Sequence, residues 1–77
     1  MLKRKEAEFN KYLKLIGGKI RSFREAKGLS QEKLGFAAGR HRTYIGDLEA
    51  GTRNPSIKTL FLIADALDVR LLDLLDD

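Results

Sequence analysis

Polar side chains crowd one short stretch near the middle of the chain: Arg42, Thr43, Tyr44 and Asp47. Arg and the hydroxyl groups donate hydrogen bonds, and the carboxylate accepts them. A helix end that is rich in such donors and projects from a protein suits the major groove of DNA. The chemistry that these residues predict is therefore recognition through hydrogen bonds.

The sequence offers little for catalysis or metal binding. It contains no Cys and one His, His41, so neither a thiolate metal site nor a Cys nucleophile is available. It also has no Gly-rich phosphate loop, and no carboxylate at a readable spacing to orient His41 as a base. We expect no enzyme activity, metal, cofactor or small-molecule ligand. The role expected for His41 is to cap the following helix or to contact phosphate.

Two short amphipathic runs position the polar stretch. Leu34 and Ala38 lie four residues apart in the first run, and Ile45 and Leu48 lie three apart in the second. Each run therefore presents a narrow apolar stripe. Because neither run is long enough to be stable alone, the stripes must pack against each other and against a scaffold. Gly39 can adopt the positive φ that ends one helix and turns the chain, so the pattern predicts a helix-turn-helix.

A long helix is predicted before this pair, from Leu2 to about Lys27. Its apolar residues recur at spacings of three and four: Phe9, Leu13, Ile16, Ile20 and Phe23. Gly17 interrupts the stripe, which favours close approach of another backbone, with a flexible joint at Gly18 as the alternative. Residues 1–8 are basic and have little to bury, so we expect this segment to fray.

Two further helices are predicted after the second run, which extends from about Arg42 to Glu49. Ser56 caps one of them, as Ser30 caps the first run. The apolar stripe of the capped helix comprises Ile57, Leu60, Ile63, Ala64 and Leu67. A last helix, about Leu71 to Leu75, closes the core with Val69, Leu71, Leu74 and Leu75. The predicted fold class is all-α, with one five-helix domain whose folded part spans residues 9–77.

Charge is unevenly distributed along the sequence. Residues 1–55 carry 13 Lys/Arg and 6 Asp/Glu, a balance of +7, whereas residues 56–77 carry 2 and 5, a balance of −3. A basic front and an acidic back fit a polyanion bound on one side, although a merely solvated surface can show the same division. No apolar run approaches the roughly 18 residues of a membrane span. We expect a soluble cytoplasmic protein with no membrane partner.

Three stretches resemble the phage repressor and Cro class of helix-turn-helix proteins: IGGKIRSFREAKGLSQEKL, AGRHRTYIGDLEAGTRNPS and IKTLFLIADALDV. The small size and the run HRTYIGDLEAGTRNPS resemble, within that class, the controller proteins of bacterial restriction-modification systems. The resemblance implies a lambda-repressor-like fold and a homodimer that binds palindromic operators on double-stranded DNA in the bacterial nucleoid. The alternatives are a phage-type repressor, an autoregulating antitoxin and, from another class, a protein-binding adaptor module.

The resemblance also implies roles for single residues. Arg42 and Thr43 fall where the family contacts bases, with Asp47 a further candidate one turn along. This agrees with chemistry, since Arg can bind guanine, Thr can meet thymine and Asp can accept from cytosine. Arg24 and Glu49 hold the positions of a structural salt bridge between the first helix and the second run. The positions implied for phosphate contacts are Gln31, Tyr44, Thr52, Arg53 and Asn54.

Departures from the family pattern lie in and just before the turn. Arg40 stands where an apolar residue is usual, which removes a core anchor and adds a cation able to reach phosphate. Phe36 replaces a polar residue and is expected to help cover the resulting gap. Gly35 replaces Ala, which keeps the close helix contact.

A dimer is expected because one recognition helix, here the second run, reads too few base pairs to select a site. Phe61, Leu62 and Leu72 fall beside the core stripes of their helices. Exposed apolar groups of this kind predict a dimer interface. The alternative is that these three side chains thicken a small core.

Overall fold

Five α-helices make up the computed structural model, which describes residues 2–76 of the chain. The helices are α1 (Leu2–Ala26), α2 (Gln31–Ala38), α3 (Arg42–Ala50), α4 (Ile57–Ala66) and α5 (Leu71–Leu75). No strand occurs among residues 2–76. The predicted all-α class and the order of five helices are confirmed. Fraying of residues 1–8 stays a prediction, and Met1 lies outside the described residues.

The helices pack in a closed circuit, in which each one contacts two neighbours. α1 packs on α3, α3 on α2, α2 on α4, α4 on α5, and α5 returns to α1. Every helix contributes one fully buried aliphatic side chain to the common core: Ile20, Leu34, Ile45, Ile63 and Leu74. The core therefore depends on all five helices at once. None of the helices within residues 2–76 combines the length and apolar character needed to cross a bilayer.

Side-chain caps begin the three central helices. The Ser30 hydroxyl accepts a hydrogen bond from the Lys33 amide at 3.0 Å, and the Ser56 hydroxyl accepts one from the Thr59 amide at 3.1 Å. Each bond satisfies a backbone donor that the helix itself cannot. At Gly39 the backbone adopts φ 71°, the left-handed conformation that turns the chain between α2 and α3. The predicted caps and turn are confirmed.

Four of the predicted apolar contacts are wrong. Phe9 is 46% exposed, because no neighbouring helix covers that side of the first half of α1. Ile57 is 62% exposed, because α4 begins there and its first buried side chains are Thr59 and Leu60. Leu75 is 43% exposed at the end of α5, where Leu74 alone of the helix is fully buried. Phe36 is 90% exposed and covers nothing. Periodicity correctly identified the buried faces, but it extended them past the neighbouring helices.

Gly17 lies where α1 crosses α3 by direct backbone contact. A Cβ built there would collide with the carbonyl oxygen of Leu48 and would lie 2.8 Å from that of Glu49. A Cβ built on Gly18, by contrast, has no heavy atom within 4 Å. The predicted close approach at Gly17 is confirmed. Gly35 is similar, because a Cβ there would collide with the carbonyl oxygen of Arg40.

This contrast gives a matched pair of variants. Gly17→Ala should lower the free energy of unfolding by about 1–3 kcal/mol, because two packed backbones must separate. Gly18→Ala should raise it by about 0.5–1 kcal/mol, because Ala loses less conformational entropy than Gly in a helix. Urea denaturation at one fixed protein concentration measures both. Equal effects of the two variants would contradict the backbone contact at Gly17.

Candidate nucleic-acid interface

The first turn of α3 points outward. Ile45 and Leu48 hold the helix by its buried face, with 0% and 3% of their surface exposed. Arg42 and Thr43 lie exposed at its beginning. His41 precedes them and caps the helix, with its Nδ1 accepting a hydrogen bond from the Thr43 amide at 3.1 Å.

A bidentate ion pair ties α1 to α3 behind this turn. Arg24 Nε and Nη2 donate to the two carboxylate oxygens of Glu49 at 2.6 and 3.0 Å, and both side chains are largely buried. Arg24 Nη1 also donates to the Leu29 carbonyl at 2.8 Å, beside the beginning of α2. The hydrogen bonds to Glu49 raise the pKa of Arg24 above its ordinary value. Three segments are thus held by one guanidinium group.

Gln31 is oriented by the same ion pair. Its Nε2 donates to Glu49 Oε1 at 3.2 Å, while the side chain remains exposed at the beginning of α2. The first turn of a helix has unpaired backbone amides and the positive end of the helix dipole. The backbone N–H of Gln31 therefore lies in a position favourable to an anion.

Tyr44, also in the first turn of α3, is the centre of a cationic cluster. The guanidinium carbon of Arg53 lies 4.9 Å from the centre of the Tyr44 ring, and that of Arg40 lies 6.0 Å from it. Arg53 Nε also lies 3.5 Å from a carboxylate oxygen of Asp47. Arg40 Nη2 donates to the hydroxyl of Thr59 at 3.0 Å. These contacts hold two cations beside α3.

Two details of this cluster differ from expectation. The sequence predicts Tyr44 on the outward side of the helix, yet Tyr44 is half-buried and packs against the core. Phe36 does not cover the turn, as was expected of it. Arg40 instead ties the turn to α4 through its hydrogen bond to the buried Thr59. The Asp47 carboxylate pairs with Arg53 at 3.5 Å, and both side chains are about half exposed.

The loop after α3 lies beside the first half of α1. Thr52 donates through both its amide and its hydroxyl to the Asp47 carbonyl, at 3.0 and 3.1 Å, while Asn54 is exposed. Lys14 approaches this loop closely, since a Cβ on Gly51 would lie 2.6 Å from Lys14 Cγ. Lys14 is a candidate that the sequence analysis missed. The available signal was Gly17, which lies one turn further along the same side of α1.

The residues predicted for the dimer interface lie on α4 and α5. Phe61 and Leu72 are 55% and 59% exposed on α4 and α5, while Leu62 is half-buried. Within residues 2–76, no group of His, Cys, Asp and Glu side chains is arranged to hold a metal ion. Polar groups thus surround the first turn of α3, whereas exposed apolar groups lie on α4 and α5.

Comparison with known proteins assigns this architecture to a family. The family model described as helix-turn-helix matches residues 20–74. The chain therefore belongs to the helix-turn-helix family of DNA-binding transcriptional regulators. Its sequence and fold are similar to those of restriction-modification controller proteins.

Two control proteins and one crystal structure are similar to this chain. Control protein C.BamHI of Bacillus amyloliquefaciens is 51% identical over 63 residues, which cover 80% of this chain and 78% of that protein. Control protein C.SmaI of Serratia marcescens is 41% identical over 61 residues, covering 79% and 73%. The restriction-modification controller protein C.AhdI from Aeromonas hydrophila superposes with a TM-score of 0.79 at 44% identity, covering 80% of this chain and 94% of that one.

The buried ion pair gives a stability prediction. Arg24→Met should lower the free energy of unfolding by about 3–5 kcal/mol, because the Glu49 carboxylate would remain buried without its partner. Combining it with Glu49→Met should recover part of this loss, since no unpaired charge is then buried. Arg21→Met is the matched control in the same helix, where the exposed pair with Glu25 should contribute about 0–1 kcal/mol. A loss below 1 kcal/mol for Arg24→Met would contradict the role assigned to the pair.

Proposed function

We propose that the chain acts as a homodimer that recognises a palindromic operator, with α3 of each copy in the major groove. The observation that carries this proposal is the first turn of α3, where Arg42 and Thr43 are exposed while Ile45 and Leu48 are buried behind them. Arg42 can make a bidentate contact with guanine, and Thr43 offers both a hydroxyl and a methyl group. A donor-rich helix end on a fixed support is what direct base readout requires.

Phosphate contacts on either side of this turn fix the position of α3 on the duplex in our proposal. Gln31 contacts one backbone beside the beginning of α2. On the other side the contacts come from the cluster around Tyr44 and the loop after α3: Arg40, Tyr44, Thr52, Arg53 and Asn54. Arg53 already lies stacked on Tyr44, so less side-chain freedom is lost when it meets a phosphate.

Asp47 contributes in one of two ways, according to whether its ion pair with Arg53 opens. A phosphate competes with Asp47 for the guanidinium of Arg53, since both are anions. If the pair opens, the Asp47 carboxylate can accept a hydrogen bond from cytosine N4. If it stays closed, Asp47 orients Arg53 toward the backbone and reads no base.

Dimerisation through Phe61, Leu62 and Leu72 would supply the second recognition helix. A two-fold axis through this surface places two copies of α3 about one helical turn of DNA apart, roughly 34 Å. The relatives suggest the genes controlled: those of a restriction-modification system, including the gene for this chain. The protein would act in the cytoplasm, at the nucleoid.

Footprinting on the DNA upstream of its own gene tests this proposal most directly. We expect a protected region with two-fold symmetry. The logarithm of the association constant should fall linearly with the logarithm of the salt concentration. A scrambled duplex of equal length should bind more weakly at every salt concentration. A protein-binding adaptor would show no preference between the two duplexes, and that result would overturn the proposal.

Substitution distinguishes base contacts from phosphate contacts. Arg42→Ala should weaken binding to the operator by about 1–3 kcal/mol and relax the preference at one base pair. Arg53→Ala should weaken all duplexes by a similar factor. Arg21→Ala, which removes an exposed arginine of α1 that pairs with Glu25, is the control and should change neither. Fluorescence anisotropy with operator and scrambled duplexes measures all three, and equal losses on both duplexes for Arg42→Ala would identify the wrong base reader.

Lys14 extends the phosphate contacts to α1 in our proposal. Lys14→Gln should reduce the magnitude of the salt slope by about 0.9 for operator and scrambled duplexes alike, because one fewer phosphate is neutralised. The uncharged side chain still packs against Gly51, so the fold should persist. An unchanged salt slope would show that the Lys14 ammonium does not contact the backbone.

A further inference from the structure

The first half of α1 carries an exposed apolar edge that no neighbouring helix covers. Phe9, Tyr12 and Leu15 follow one another at intervals of three residues and are 46%, 55% and 50% exposed. With Leu75 of α5 they line an open groove of about 470 Å³ between α1 and α5. Residues at this spacing share one side of a helix. Three large apolar groups are thus displayed together, not scattered singly.

This edge is continuous with the surface proposed above for dimerisation. α5 packs against both α4 and α1, so its exposed residues bridge the two helices. Leu72 and Leu75 lie three residues apart on α5 and are both exposed. Leu72 and Phe61 are both exposed on the packed helices α5 and α4, and Leu75 lines the groove together with Leu15 of α1. The described surface therefore holds an apolar band that runs from α4 over α5 to α1.

The area of the band argues for a second copy of this chain as its occupant. A stable interface buries about 800 Å² on each partner. A half-exposed large side chain offers roughly 100 Å², so Phe61, Leu62 and Leu72 supply less than half of that area. The four exposed apolar side chains of the groove more than double the apolar area available: Phe9, Tyr12, Leu15 and Leu75. Polar residues at the rim can then complete an interface of ordinary size.

Charge supports the same occupant. The first nineteen residues carry an excess of cations, with Lys11 and Lys19 on α1 among them, and Lys19 lines the groove. At the α5 end, Asp73 is paired with Arg70 of its own chain, whereas Asp76 lines the groove. A two-fold contact that sets α1 of one copy against α5 of the other therefore brings opposite charges together twice.

We infer that the first half of α1 forms part of the homodimer interface, with Phe9, Tyr12 and Leu15 packed against α5 of a second copy. The inference rests on the homodimer proposed above. It assigns a role to a segment that lies outside residues 20–74, the part matched by the helix-turn-helix family model. The dimer would then be held by α1, α4 and α5 together.

Sedimentation equilibrium on the full chain tests this inference. Leu15→Glu should weaken the dimer at least tenfold, as should Phe61→Glu, because each inserts a charge into a buried contact. Phe36→Glu is the matched control, since Phe36 is 90% exposed on α2, away from the band, and its substitution should leave the dimer unchanged. Circular dichroism must show the same helix content for all variants. Because the substituted residues are exposed, loss of the dimer can be distinguished from loss of the fold.

Three outcomes are distinguishable. Dissociation by both Leu15→Glu and Phe61→Glu, with Phe36→Glu unchanged, supports the inference. Dissociation by Phe61→Glu alone overturns it, leaves the homodimer intact and assigns the groove to another occupant. A wild-type chain that sediments as a monomer at micromolar concentration overturns both the inference and the proposed homodimer.

Cross-linking gives an independent measurement. Because the sequence contains no cysteine, Tyr12→Cys introduces a unique thiol within the groove. A short bismaleimide should join two copies of this variant, because the inferred interface sets α1 of both copies beside the two-fold axis. The matched variant Phe36→Cys should remain uncross-linked. Equal yields from the two variants would count against the inference.

Discussion

The orientation of α3 depends on its burial by α1 and α2. A nine-residue helix is too short to be stable alone, so its direction is set by its neighbours. Ile45 and Leu48 supply the apolar anchorage, and Gly17 lets the backbone of α1 lie directly against that of α3. The ion pair between Arg24 and Glu49 then fixes the register of the two helices. Everything exposed at the beginning of α3 is positioned by these contacts.

Much of this arrangement could be predicted from the sequence, because the signals were local. Ser30 and Ser56 stand directly before apolar stripes, and Gly39 stands between two of them, so caps and turn follow from short-range chemistry. The errors concern where a neighbouring helix ends. Ile57 has the right spacing to be buried, yet no periodicity shows that burial on α4 begins only at Thr59 and Leu60.

Pairings distant in sequence were harder to predict for the same reason. The hydrogen bond from Arg40 to Thr59 joins residues nineteen positions apart, and the placement of Lys14 beside Gly51 depends on the crossing at Gly17. The type of each residue does not indicate which distant residue it contacts. The pair of Arg24 with Glu49 was expected only because the chain resembles a family in which those positions meet. The cluster around Tyr44 likewise required coordinates, since its ring is half-buried where an outward position was expected.

The shared core has a consequence for how the two proposed surfaces cooperate. α5 has five residues and cannot be stable by itself, so the apolar surface it displays exists only while Leu74 is buried in the common core. The same core holds Ile45, which supports the proposed recognition turn. A change that loosens one surface should therefore loosen the other, because no helix in the circuit is independent of its neighbours. Association of two copies would in turn stabilise α3 by mass action, since only the folded chain presents the surface.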